Sequence, residues 1–142
     1  KNKSIKISHI QSNQILNSII SLNIMFEDTL SLYGVNGGIS AKNFVWTWEV
    51  DIVNNWISNQ SKAIYHEVDY QFTQGLHGTI KYDFFDPDLD LKSGAINRYT
   101  LGLEFYPFNV LEIKLQARQS ILENSIDSRP APEYLLQFHS WF

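Results

Sequence analysis

Apolar and polar residues alternate with period two over most of the chain. In 44–52, "FVWTWEVDI", Phe44, Trp46, Trp48, Val50 and Ile52 share one side, and Val45, Thr47, Glu49 and Asp51 share the other. In 64–72 the more apolar set is Ile64, His66, Val68, Tyr70 and Phe72, against Tyr65, Glu67, Asp69 and Gln71. In 76–84, Leu76, Gly78, Ile80, Tyr82 and Phe84 oppose His77, Thr79, Lys81 and Asp83. In 99–105, Tyr99, Leu101, Leu103 and Phe105 oppose Thr100, Gly102 and Glu104. In 110–118, Leu111, Ile113, Leu115 and Ala117 oppose Val110, Glu112, Lys114, Gln116 and Arg118. Successive side chains of a strand point to opposite faces, so this pattern predicts two-faced β-strands. No long window repeats at helical spacing.

The first third of the chain is less regular. Residues 19–26 alternate loosely. Residues 29–39, "TLSLYGVNGGI", switch parity near Tyr33 and hold three glycines, which predicts a bulge or a close backbone approach. "SIKIS" (4–8) reads as one further strand, and 133–142 as the last. The count is eight strands, or nine with the first. The connections alternate in length. Those at 85–98 and 120–132 are long and the polar one at 53–62 is medium, while those at 40–43, 73–75 and 107–109 are short; only 27–29 breaks the pattern, as a short connection on the long-loop side. An up-and-down meander follows, with long loops at one end and tight turns at the other.

Composition narrows the class. No run approaches the ~18 apolar residues of a membrane helix. A net charge of −4 argues against a nucleic-acid partner, which needs a basic stripe. Cysteine is absent, so disulfides and thiolate metal sites are excluded. The chain starts at Lys1 without a visible signal peptide, which reads as a processed protein or a piece of one.

Period two fits a soluble barrel with its apolar face inward, and equally a membrane barrel with its apolar face outward. Three features favour the second. The polar positions hold few lysines. Aromatic residues gather near strand ends: Phe72, Phe84, Phe85, Tyr99, Phe105, Tyr106, Phe108, Tyr134 and Phe142. Strand runs are about 9–11 residues, the length that crosses the hydrocarbon at a tilt. The expected fold is an all-β, transmembrane, antiparallel up-and-down β-barrel. It is either complete with eight strands or the C-terminal eight to nine strands of a larger one. Residues 1–142 form a single barrel domain, with 1–14 a leader or an extra strand.

The final stretch, "EYLLQFHSWF", resembles the last strand of Gram-negative outer-membrane β-barrel proteins. Those end in Phe preceded by alternating apolar residues, a pattern read by the barrel-insertion machinery. Tyr134, Leu136, Phe138 and Phe142 match it, and Ser140 departs from it. The resemblance implies a bacterial outer-membrane location, with outer-membrane lipid and the insertion machinery as partners. A looser resemblance covers 78–118. That stretch is similar to porin-like barrels, including those that sheathe multihaem cytochromes, which would make such a cytochrome a partner. The chain itself has no CxxCH, and no cofactor is expected.

The polar face predicts the chemistry. Glu49, Asp51, Glu67, Asp69, Lys81, Asp83, Glu104, Glu112, Lys114 and Arg118 should line the lumen, together with Glu133. They would pair across strands in a narrow barrel or line water in a wide one. Asp86, Asp88 and Asp90 stand at calcium-loop spacing. Leu91 and Asn97 occupy the positions where an EF-hand needs Gly and Glu, so an ordinary acidic loop competes with a weak metal site. His139 and Ser140 are adjacent in a strand, point to opposite faces and cannot share a catalytic site. The expected role is a pore or transmembrane scaffold rather than a catalyst. The competing readings are a soluble ligand-binding barrel and a lipid-modifying enzyme.

Overall fold

The computed structural model describes residues 3–12, 16–27, 30–55, 59–92, 94–123 and 132–141. They form nine strands in one antiparallel sheet, and no helix occurs among them. The strands are β1 (Lys3–Ser12), β2 (Asn17–Glu27), β3 (Leu30–Ala41), β4 (Phe44–Asn55), β5 (Gln60–Thr73), β6 (Leu76–Asp86), β7 (Ile96–Phe108), β8 (Leu111–Leu122) and β9 (Pro132–Ser140). Each pairs with its neighbours in sequence, in the order β1 to β9. "SIKIS" thus belongs to a strand paired with β2 along its whole length. The sheet is not closed, because β1 and β9 are each paired on one side only and do not touch.

A meander places alternate connections at opposite ends. The strand ends at Asn55 and Gln60, Asp86 and Ile96, and Leu122 and Pro132 share one end, and the turns at 42–43, 74–75 and 109–110 share the other. The loop after β4 is shorter than the pattern suggested, because pairing runs on to Asn54 opposite Gln60. Lys42 opens the β3–β4 turn with φ 51°, and Gly75 closes the β5–β6 turn with φ 78°. A Cβ at Gly75 would also meet the Tyr106 carbonyl oxygen at 2.9 Å, so glycine is needed there twice over.

Residues 29–39 differ from expectation. From Leu30 onward β3 pairs without a break to both β2 and β4, so it holds no bulge. The parity switch has another cause. Leu32 shares its face with Met25 and Val53, so the polar face itself turns apolar at the loop end. The close approach is real. The Trp48 ring lies against the Gly37 backbone, where a Cβ would meet Cζ2 at 2.6 Å. Phe72 covers Gly78 in the same way. The register breaks fall elsewhere, between Gln71 and Thr73 and between Phe105 and Phe108. The second holds Pro107, which has no amide to give to a ladder.

Two quantities describe the sheet as a whole. The first is stagger. From β4 to β9 the strand midpoints slide along the register by about one residue per strand, and from β1 to β4 they do not. With a rise of ~3.3 Å per residue and a spacing of ~4.8 Å, that slide tilts the strands by roughly 35°. The second is burial. A flat single layer would expose both faces alike. Here Thr79 and Thr100 are 3% exposed, while Ile80 and Leu101 beside them are 58% and 61% exposed. Between β6 and β7 the polar face is thus the more sheltered of the two.

Candidate functional site: the sheltered polar face

Strand pairing carries the polar positions across the sheet in rows. One row runs Ser8, Ser21, Asn36, Glu49, Tyr65, Asp83, Arg98, Ser120. The next reaches Thr47, Glu67, Lys81, Thr100, Arg118 and Glu133. A third holds His77, Glu104, Lys114 and Gln137. Asp51, Asp69 and Glu112 lie two residues from members of these rows, hence on the same side. All ten residues expected to line a lumen, and Glu133, thus share one face.

Sequence reading left further members out of the lumen set. Lys6, Arg98, Tyr106 and His139 also belong to this face, by register or by contact. Arg98 and Tyr106 lie one period outside the window 99–105, so extending the alternation would have found them. Lys6 was hidden because 4–8 was too short to assign a face.

Some of the charges are paired across neighbouring strands. Lys81 Nζ lies 3.0 Å from Glu67 Oε2, directly across β5 and β6. Lys114 pairs with Glu104 across β7 and β8. Arg118 reaches toward Glu133 at 3.8 Å. His139 Nδ1 donates to Glu112 at 2.8 Å, and His77 Nδ1 to Asp69 at 3.1 Å, since a carboxylate can only accept. The Tyr106 hydroxyl lies 3.2 Å from Glu112 and 3.4 Å from Glu104, and donates to one at a time. Its ring meets His77 edge-on, 5.8 Å between centroids. The network thus runs across β5 to β9.

Three carboxylates of this face stand apart. Glu49, Asp51 and Asp83 have no ion-pair partner among the described residues. Asp83 is opposite Arg98 in register, but the Arg98 Nε donates to Ser120 Oγ at 3.3 Å. Glu49, Asp51 and Asp83 help line a recess with Tyr65 and Phe85.

The other face carries Trp46, Trp48, Leu101, Leu103, Ile113 and Leu115. Trp46, His66, Tyr82 and Tyr99 form a row of ring contacts across β4 to β7, with centroids 5.2–6.4 Å apart. Tyr134, Leu136 and Phe138 lie on this face too and are strongly exposed. Phe142, the last residue of the expected insertion signal, lies outside the described residues.

Asp86, Asp88 and Asp90 do not come together as a cation cage. Asp86 Oδ1 accepts the Asp88 amide at 3.0 Å, and Asp88 Oδ1 accepts the Asp90 amide at 3.1 Å. Asp88 Oδ2 accepts from the Asn59 side chain at 2.7 Å. Two of the three carboxylates are thus used to shape the loop, as in Asx turns. Among the described residues no group of three His, Asp or Glu side chains is placed to hold a metal ion. His139 and Ser140 fall on opposite faces, in the rows of Glu112 and Leu111. Comparisons with protein-family models, with curated proteins and with solved structures find no match for this chain.

Proposed function

We propose that this sheet is part of the wall of an outer-membrane β-barrel, with its apolar face to lipid and its polar face to the interior. Its role is that of a pore or a transmembrane scaffold. One observation carries the reading. Among the described residues Ala95 is the one buried hydrophobic residue, while Ser21, Thr79, Thr100, Glu112 and Gln116 are buried. A soluble sheet does the opposite, hiding its apolar side.

The magnitude matters. Ile80, Leu101, Leu103, Leu115, Leu136 and Phe138 are each about half exposed. Burying such a side chain fully is worth about 1.5–3 kcal/mol, so leaving these six in water forgoes roughly 5–9 kcal/mol. That rivals the whole stability of a typical domain, ~5–15 kcal/mol. Lipid would cover the face without a second protein layer. From β4 to β9 the stagger implies a tilt of roughly 35°, within the range of about 35–45° for membrane barrel strands, while β1 to β4 add none.

The test is partition. Purified chain mixed with phosphatidylcholine vesicles should float with them on a density gradient and require detergent when lipid is absent. A monodisperse protein in plain buffer would favour the soluble ligand-binding barrel and overturn the membrane reading. The cross-strand ion pairs favour a scaffold over a wide pore, and planar-bilayer conductance separates the two. A multihaem cytochrome partner rests on the likeness of 78–118 alone. Its test is co-purification of haem absorbance with the tagged protein from cells that make it.

A further inference from the structure

We propose that β1 and β9 are docking edges, and that the wall is completed between them by an odd number of further antiparallel, membrane-crossing strands contributed by polypeptide other than residues 1–142. The inference rests on the membrane reading.

The first argument is hydrogen bonding. β1 uses one edge for β2 and β9 uses one edge for β8, so each leaves a row of unpaired backbone groups. Hydrocarbon offers nothing to satisfy such groups, so open edges do not persist at membrane depth. All ten residues of β1 are exposed, as are all but one of β9.

The second argument is direction. Nine alternating strands leave β1 and β9 running the same way. Direct closure would make them a parallel pair, whereas every other pairing in the sheet is antiparallel. A second copy inserted in the same orientation fails likewise, because its β1 and β9 point the same way too. Only an odd number of added strands restores antiparallel pairing at both seams. The total then becomes even, as in bacterial single-chain barrels.

The third argument is level. The stagger accumulated from β4 to β9 leaves the two edges several residues out of step along the register. Intervening strands that continue the slide would carry it around the circumference.

The occupant is therefore specified: strands of about ten residues, apolar residues alternating with polar ones. On β1 they would continue the apolar rows of Ile5 and Ile7 and the polar rows of Lys6 and Ser8.

Two experiments test this. In the first, the protein carrying Ile7→Cys and Leu136→Cys is oxidised in the outer membranes of cells that make it. The expected result is no disulfide between these positions, within one chain or between two. An intramolecular disulfide would show self-closure, and a disulfide-linked dimer would show closure by a second copy. Either overturns the proposal while leaving the membrane reading intact. Absence of the protein from the membrane fraction overturns that reading, and the proposal with it. In the second, a photo-crosslinker replaces Ser8 in cells that make the protein. Captured peptides should carry sequence absent from residues 1–142, and capture of β9 peptides alone overturns the proposal.

Discussion

At the scale of single residues, backbone geometry makes the sharpest demands. Gly75 combines a left-handed φ with a carbonyl 2.9 Å from where a Cβ would stand. Gly75→Ala should cost about 1–2 kcal/mol in a reversible urea titration of the vesicle-folded protein. Lys42 has the opposite problem. It holds φ 51° without being glycine, so Lys42→Gly should be neutral or stabilising by up to ~1 kcal/mol in the same titration. Leu103 and Glu104 are neighbours in sequence with opposite surroundings. In the membrane reading Leu103→Arg should cost about 2–4 kcal/mol if the position lies near the midplane. Unchanged stability of that variant would count against lipid contact at Leu103.

At the scale of elements, each strand is a two-sided object whose faces have different jobs. The polar sides of β7 and β8 meet in Lys114–Glu104, directly opposed in register and largely sheltered from solvent. A double-mutant cycle with Lys114→Met and Glu104→Gln should return a coupling of roughly 0.5–1 kcal/mol, toward the upper end of cross-strand charge pairs. The ends of the strands give a topological test. With thiol reagents on intact cells, Leu91→Cys in the 87–95 loop should label and Asn109→Cys in a tight turn should not. The reverse pattern would invert the orientation.

Most of the strands could be read from period two, and the reason is physical. Each strand has one polar and one apolar side, so burial and sequence alternate together. What escaped was set by neighbours across the sheet. β1 gives a weak signal because its apolar positions are only Ile5, Ile7 and Ile10, and the last falls on the polar parity. The parity change in β3 looked like a bulge because Leu30 and Leu32 are apolar on the polar face, which only pairing with Met25 and Val53 explains. The charged residues of the site could be found from their alternation. Their division into paired and solitary groups could not, because an ion pair depends on which residue stands opposite. Asp86, Asp88 and Asp90 have a calcium-like spacing, but oxygens of Asp86 and Asp88 are taken by backbone amides and Asn59.

At the scale of the whole molecule, the polar face has a net negative character. Adding Lys6 and Arg98 to Lys81, Lys114 and Arg118 makes five basic residues against the eight carboxylates named above. If the completed wall encloses an open lumen, cations should be favoured over anions at low salt. A reversal potential under a potassium chloride gradient checks this, and anion selectivity would show that strands beyond these nine govern the interior.

Glu49, Asp51 and Asp83 line one recess without an ion-pair partner among the described residues, while Glu67 and Glu104 each hold a lysine. A carboxylate with no fixed partner must be balanced by mobile cations, whereas a paired one is balanced already. In an open lumen these three should therefore carry much of the cation preference at about 0.01–0.1 M salt. The preference should fade near 1 M, where the Debye length shrinks to ~3 Å. Replacing the three by their amides should move the reversal potential toward zero, while Glu104→Gln with Lys114→Met, which leaves the net charge unchanged, should hardly move it.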